Sequence, residues 1–231
     1  MNNTKIDWCD CTVNPVIGCK NGCKYCYAER LNKRFHYIPN WKCPQFRPEK
    51  LKQFYSKKPR SIFIDSMSDI GTWEQEWFNA VAKAMSENPQ HKYIALTKRL
   101  DGLNSRCALT TVGIIPNFYV GISVTTQKQA DSAPRQIRSM NDYDGTLPPD
   151  FYSIEPILEP ITISADRMPD LLIIGAETGN RKGKVIPQKE WIDDLVRQAD
   201  AQESAVFMKG SLREIMGADF RQDRLPWEVV E

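Results

Sequence analysis

The feature that most constrains the fold of this chain is a series of short, continuously apolar segments separated by stretches with helical spacing. Apolar runs that do not alternate with polar residues are typical of strands buried on both faces, and strands that alternate with helices favour a parallel sheet. We predict six such strands and a weaker first one, which Pro15 interrupts: Thr12–Ile17, Ser61–Asp65, Tyr93–Leu96, Phe118–Ile122, Phe151–Ile154, Leu171–Ile174 and Ala205–Met208. The pattern therefore predicts an α/β fold whose parallel sheet is either open or closed into a partial barrel.

Helices are predicted where apolar residues recur every four positions. This spacing follows the first and second strands and precedes the last one, at Tyr27, Leu31 and Phe35, at Trp77, Val81 and Met85, and at Trp191 and Leu195. The segment 155–170 contains three prolines and is predicted to hold no full helix. No repeat or linker divides the sequence, so one domain spanning residues 1–231 is predicted.

Composition narrows the class of protein without naming a function. Hydrophobic residues make up 41% and charged residues 26% of the 231 positions, which is typical of a globular protein that folds without a metal. The net charge of +2 is too small to indicate a strongly basic nucleic-acid-binding protein. The sequence has no apolar stretch of the length that crosses a membrane and no secretory signal. We therefore predict a cytoplasmic location and no membrane partner.

Three cysteines lie close together in the sequence G-C-K-N-G-C-K-Y-C-Y. Cys19, Cys23 and Cys26 are separated by three and two residues, and thiolate ligands suit zinc or iron–sulfur clusters. A structural zinc ion normally has four ligands, so zinc would need a distant cysteine as the fourth. Three thiolates on a four-iron cluster leave one iron open, and this ligand count favours the cluster. The isolated Cys9, Cys11, Cys43 and Cys107 are predicted to be small buried apolar residues.

Polar residues follow most of the predicted strands. In a parallel sheet these positions collect at the carboxyl edge, where ligands usually bind. The candidates for contact with a cofactor are the polar residues that follow these strands: Ser66, Ser68, Asp69, Lys98, Arg99, Ser123, Glu155 and Glu177. Lys98 and Arg99 are candidates to bind a carboxylate or a phosphate, and Glu155 and Glu177 to bind hydroxyls or an amine.

The cysteine spacing, with an aromatic residue before the third cysteine, resembles that of the radical S-adenosylmethionine superfamily. The motifs I-D-W-C-D-C-T-V-N-P-V-I-G-C, C-Y-A-E-R, S-M-S-D, L-T-K-R, S-I-E-P and I-I-G-A-E-T-G occur in this order. Together they resemble a family of uncharacterised phage and prophage proteins with a radical-SAM-like three-cysteine motif. The resemblance implies a partial (β/α) barrel, TIM-like, with the cluster loop after the first strand.

The resemblance also implies a cofactor, a reaction and an electron donor. A [4Fe–4S] cluster on Cys19, Cys23 and Cys26 would bind S-adenosyl-L-methionine at its open iron. One electron from the cluster would cleave the sulfonium and release a 5′-deoxyadenosyl radical, which abstracts hydrogen from an unknown small-molecule or nucleotide substrate. An external donor of the flavodoxin or ferredoxin type is implied.

Positions around the bound cofactor follow from the same resemblance. The backbone at Tyr25 would lie near the adenine. Ser66, Ser68 and Asp69 stand where many of these enzymes have Gly-Gly-Glu, and would contact the amino or carboxylate group of the methionyl part. Ser123 and Glu155 are candidates to line the ribose.

A second class of function is also compatible with the sequence. A non-enzymatic zinc- or iron–sulfur-containing phage protein that binds nucleic acid would account for the basic patches and several aromatic residues, although the near-neutral net charge argues against it. A third hypothesis combines the two, as a radical enzyme that acts on a nucleotide or nucleic-acid base. Metal content distinguishes zinc from iron.

Overall fold

The structure is a computed structural model that describes residues 2–110, 115, 117–136 and 148–229. The chain forms two compact units. The first contains Met1–Val120 and Trp227–Glu231, and the second contains Gly121–Pro226. The prediction of one domain over the whole chain stays a prediction.

Among the described residues, six strands lie wholly within the first unit. They are β1 (Asn2–Asn3), β2 (Cys11–Thr12), β3 (Val16–Ile17), β4 (Gln45–Phe46), β5 (Ser61–Phe63) and β6 (Lys92–Thr97). Strands β2, β5 and β6 are parallel neighbours in chain order, and β1 pairs with β2 in the antiparallel direction. Strands β3 and β4 form a separate antiparallel pair.

The predicted first strand, Thr12–Ile17, is divided between these two sheets. Thr12 pairs with Phe63 of β5, whereas Val16 pairs with Phe46 of β4. Pro15 lies between the two short strands and has no N–H to donate to a ladder, so continuous pairing stops there. Its carbonyl instead accepts a hydrogen bond from the backbone N–H of Arg47 at 2.6 Å.

Helices α1 (Tyr27–Phe35), α2 (Gln75–Ser86) and α3 (Leu100–Leu109) follow β3, β5 and β6, and 3₁₀ helices cover Pro48–Tyr55 and Ile70–Thr72. The four-residue spacing that predicted α2 is confirmed, because Val81 and Met85 are buried with strand residues such as Ile62 in the core of this unit. Trp73 lies in the same core and is fully buried.

The second unit repeats the parallel pattern. Residues Gly121–Ser123 of β7 (Phe118–Ser123) pair with β8 (Phe151–Ile154), which is followed by β9 (Leu171–Ile174) and β10 (Ala205–Met208), all in parallel. Helices α4 (Gln127–Asp131), α5 (Lys189–Asp200) and α6 (Arg213–Met216) and 3₁₀ helices Gly210–Leu212 and Gly217–Asp219 complete it. Residues 155–170, all of which the structure describes, contain no helix.

The predicted α/β class, with successive parallel strands of the partial (β/α) barrel type, is confirmed. Every residue of β8 and β9 is buried, as expected for strands covered on both faces. In the described part of the chain, no helix has both the length and the apolar character needed to cross a bilayer.

Candidate functional site

The loop that carries the three cysteines connects β3 to α1 in the first unit. Its entry is held by two backbone hydrogen bonds, from Gly18 N–H to the carbonyl of Met67 and from Cys19 N–H to the carbonyl of Trp41, both at 2.9 Å. Gly18 has a φ of +110°, and a Cβ at this position would lie 2.8 Å from the Cα of Pro44 and from the carbonyl oxygen of Trp41. Only glycine fits this conformation and this space.

The sulfur atoms of the loop are half-buried and two of them accept backbone hydrogen bonds. The N–H of Asn21 donates to Sγ of Cys19 at 3.5 Å, and the N–H of Glu29 donates to Sγ of Cys26 at 3.4 Å, where Cys26 caps the start of α1. Such N–H···S contacts stabilise thiolates and tune metal clusters. The sequence thus places the sulfur of Cys26 where a helix terminus favours negative charge.

Burial has the opposite effect on these thiols. It raises the pKa of Cys19 to about 12, with further increases from the charges of Asp69, Cys23 and Cys26, while the hydrogen bond from Asn21 lowers it. Burial also raises the pKa of Cys26, against the hydrogen bonds from Glu29 and Ala28. The thiols of Cys19 and Cys26 are therefore protonated at neutral pH unless a cation replaces the protons.

Asp69 fastens the cysteine loop to the end of β6. It is only 4% exposed, and each of its oxygens accepts two hydrogen bonds. Oδ1 accepts from the hydroxyl of Thr97 at 2.6 Å and from the N–H of Gly71 at 3.0 Å. Oδ2 accepts from the side-chain amide of Asn21 at 2.5 Å and from the N–H of Lys98 at 3.0 Å. Asn21 lies between the first two cysteines, so this carboxylate positions the loop.

The predicted serines lie in the same turn after β5. The hydroxyl of Ser66 donates to Oδ1 of Asn14 at 3.0 Å, and its carbonyl accepts from the hydroxyl of Tyr27 at 2.7 Å. The hydroxyl of Ser68 accepts from the indole N–H of Trp73 at 3.0 Å. The turn is therefore linked both to the residue before Pro15 and to the first residue of α1.

Asp65, which sequence reasoning placed inside a strand, is a buried residue of this turn. Its two oxygens accept hydrogen bonds from the N–H groups of Leu96 and Ile70, each at 3.1 Å. Burial raises the pKa of Asp65 well above the ordinary value for a carboxyl, and the nearby charge of Asp69 adds to this. Asp65, Asn14 and Asn21 were not among the predicted site residues; the position of Asp65 directly after an apolar strand was the available signal.

Two predicted cofactor contacts also meet in the first unit. The ammonium of Lys98 lies 5.6 Å from the centre of the Tyr25 ring, within the range of a cation–π contact. Arg99 points to Asp101 instead, with 3.8 Å between Nε and Oδ1, and both side chains are exposed. Tyr25, Ser66, Ser68, Asp69 and Lys98 thus surround or adjoin the cysteine loop, while Arg99 faces solvent.

The predicted residues of the second unit have partners of their own. Lys209 donates to Oε1 of Glu155 at 2.5 Å, and both lie against Gly175, where a Cβ would come within 3.2 Å of each side chain. Arg181 forms two hydrogen bonds to Glu177, at 2.6 and 2.7 Å, which raises the pKa of its guanidinium. Ser123 is the register partner of Ser153 in β8. The cofactor roles of Glu155, Glu177 and Ser123 stay predictions.

Breaking the Glu155–Lys209 pair is expected to destabilise the protein. The two side chains are 24% and 14% exposed, so Lys209→Met leaves a largely buried carboxylate without its closest cation. We expect a loss of about 2 kcal/mol in the free energy of unfolding. The double variant Glu155→Gln, Lys209→Met should recover most of it in urea denaturation. A double variant that loses as much stability as Lys209→Met and Glu155→Gln lose together would contradict a direct interaction.

The remaining cysteines do not form a second centre. Cys11 is buried and its sulfur lies 3.9 Å from the carbonyl of Ser61, whereas Cys9 and Cys107 are half-buried and Cys43 is exposed. The prediction of a buried apolar cysteine is therefore wrong for Cys43. Among the residues that the structure describes, no three or more His, Cys, Asp or Glu side chains form a group that could hold a metal ion.

The predicted family assignment needs correction. Neither a curated protein nor a solved structure matches the chain. The family that matches carries no assigned function and is not described as a radical S-adenosylmethionine family. The assignment to the radical S-adenosylmethionine superfamily, and to phage proteins with its motif, is therefore wrong. The chain belongs to the family described as "Protein of unknown function (DUF5131)", whose model matches residues 3–215.

Proposed function

We propose that Cys19, Cys23 and Cys26 hold a [4Fe–4S] cluster and that the protein is an enzyme that reductively cleaves S-adenosylmethionine. The proposal rests on the site and not on membership of a superfamily. The observation that supports it is that the three thiols lie in one loop, where two N–H groups, one of them at the start of α1, donate to the sulfurs of Cys19 and Cys26.

The donor set suits a cluster better than a single ion. Four ligands around zinc must converge on one point, and the described residues offer no such group. The thiolates on a four-iron cluster each bind a different iron, so three thiolates from one loop suffice and leave the fourth iron open. Half-buried sulfurs whose pKa is raised by burial also need a strongly charged partner before they lose their protons.

A cluster held by Cys19, Cys23 and Cys26 would supply the one-electron reducing chemistry that cleaves the sulfonium of S-adenosylmethionine and makes hydrogen abstraction from a substrate possible. The electron comes from an external flavodoxin- or ferredoxin-type donor, and we propose a cytoplasmic location on that account. The substrate is an unidentified small molecule or nucleotide. The protein's own contribution is to bind and orient the reactants.

Residues of the first unit divide into two roles in this proposal. Asp69 is a positioning residue, because both of its oxygens already accept two hydrogen bonds. Lys98 lies over the ring of Tyr25 and suits the methionyl carboxylate as a compact donor of hydrogen bonds. Ser66 and Ser68 offer hydroxyls in the adjoining turn.

Anaerobic reconstitution with iron and sulfide tests the proposal. We expect about four irons per chain, a brown colour, an electron paramagnetic resonance signal that shifts when S-adenosylmethionine is added, and 5′-deoxyadenosine after reduction with dithionite. The variant Cys19→Ala, Cys23→Ala, Cys26→Ala should lose all four. Cys43→Ala, which removes one exposed cysteine, is the matched control and should keep them.

Other metal contents would contradict the proposal in distinct ways. About one zinc per chain in colourless protein would favour the non-enzymatic zinc module. A cluster whose spectrum is unchanged by S-adenosylmethionine, with no 5′-deoxyadenosine above the triple variant, would show an iron–sulfur protein without this activity.

A further inference from the structure

The positive charge of this chain is concentrated in one segment. Residues 20–60 contain twelve Lys or Arg residues and two Asp or Glu residues, although the net charge of the whole chain is only +2. All of this segment is described, and nine of the twelve basic side chains are exposed. A concentration of this kind attracts polyanions, and the average over the chain conceals it.

Exposed aromatic rings lie among these charges, at the end of α1. Phe35 is 51% and Tyr37 is 44% exposed, and their ring centres are 5.8 Å apart. The guanidinium of Arg34 lies 5.0 Å from the centre of the Phe35 ring. Arg47 donates a hydrogen bond to the carbonyl of Tyr37 at 3.2 Å. Two arginines therefore flank a pair of rings that the protein leaves open to solvent.

The backbone between the two rings adopts an uncommon conformation. His36 ends α1 with a φ of +53°, in the left-handed region that residues other than glycine rarely occupy. This turn directly follows Phe35 and directly precedes Tyr37, so it sets the position of one ring against the other. A backbone conformation of this cost is retained where the surrounding structure requires it.

The exposed surface formed by these arginines and rings continues along α1 towards the cysteine loop. Arg30 lies one helical turn before Arg34, and Tyr27, one turn before Arg30, is 45% exposed. We call this surface the α1 strip and define it by Tyr27, Arg30, Arg34, Phe35, Tyr37 and Arg47.

We infer that the α1 strip binds single-stranded nucleic acid. Arginines contact phosphates, and open aromatic faces stack on bases that are not already paired and stacked in a duplex. An anionic membrane is the less suitable partner, because a helix that lies on a membrane inserts its apolar face. In α1 that face is already used: Ala28 and Leu31 pack with Ile38, Trp41 and Met67. The inference goes beyond the proposed chemistry and does not depend on it.

Fluorescence anisotropy with a labelled fifteen-residue oligo(dT) tests the inference. We expect the purified full chain to bind it and to lose about tenfold in affinity between 50 and 200 mM salt. Arg30→Gln, Arg34→Gln should weaken binding about tenfold and reduce the slope of the salt dependence by about one, whereas Phe35→Ala, Tyr37→Ala should weaken binding about tenfold with the slope unchanged. These are exposed side chains, and circular dichroism checks that each variant is folded.

Lys128→Gln, Lys182→Gln is the charge-matched control, since it removes two exposed lysines of the second unit. We expect it to bind within twofold of the unaltered protein. Equal weakening by this control, no binding at 50 mM salt, or tighter binding to duplex DNA or to phosphatidylserine vesicles would each overturn the inference. The readout needs neither metal nor S-adenosylmethionine, so its failure is distinguishable from failure of the proposed enzyme activity.

Discussion

Replacement of Asp69 by alanine is expected to lower the free energy of unfolding by about 3–5 kcal/mol and to abolish iron retention. The substitution removes an acceptor from four donors at once: the hydroxyl of Thr97, the side-chain amide of Asn21 and two backbone N–H groups. Hydrogen bonds to a charged group contribute more than neutral ones, and donors left unpaired in a buried site add a further cost. Urea denaturation and iron content measure the two effects.

Three further variants separate stability from positioning. Asp101→Ala, which removes an exposed aspartate, should change stability by less than about 0.5 kcal/mol. Asp69→Asn keeps one acceptor oxygen and should cost less than Asp69→Ala. Asn21→Ala removes only the hydrogen bond that joins the cysteine loop to Asp69. It should cost about 1 kcal/mol in the free energy of unfolding yet lower the iron content strongly. Unchanged iron retention in both Asn21→Ala and Asp69→Ala would show that the carboxylate does not position the loop.

The strands that the sequence predicts most closely are those whose signal is local. Leu171–Ile174 and Ala205–Met208 are found with the predicted bounds, because each is a continuous apolar run between polar segments. The segment Thr12–Ile17 was predicted as one strand and is two. Its division depends on pairing with residues about 30 and 50 positions away, which no local pattern reports.

The candidate site shows the same limit. The spacing of the cysteines is visible in the sequence, and so is the polar stretch at Ser66–Asp69. The link from Asn14 to Ser66 spans 52 residues, and the link from Asn21 to Asp69 spans 48, so neither was predicted. The pair of Glu177 and Arg181, four positions apart, did carry a local signal, but Glu177 was predicted to bind hydroxyls or an amine instead.

The weight given to net charge explains why the α1 strip was not predicted. An overall charge of +2 argued against nucleic-acid binding. A whole-chain average describes solubility better than it describes any one surface, so it did not reveal this local concentration of positive charge. The Phe35–Tyr37 contact depends on the left-handed turn at His36, and no strong sequence signal predicts a positive φ at a histidine.

The last prediction compares two glycines of the cysteine loop that both have positive φ. Gly18 has a φ of +110° and Gly22 a φ of +70°, but only Gly18 is crowded, with backbone atoms of Trp41 and Pro44 at 2.8 Å from a Cβ. No atom lies within 4 Å of a Cβ at Gly22. We expect Gly18→Ala to lower the free energy of unfolding by about 3 kcal/mol or more, because backbone strain and overlap with fixed atoms add. Gly22→Ala should cost only about 1 kcal/mol, the strain of the left-handed conformation alone.

Chemical denaturation gives both values, and iron content after anaerobic reconstitution should fall in Gly18→Ala but not in Gly22→Ala. Similar losses in the two variants would mean that the packing of the loop entry against Trp41 and Pro44 does not hold the cysteines in place.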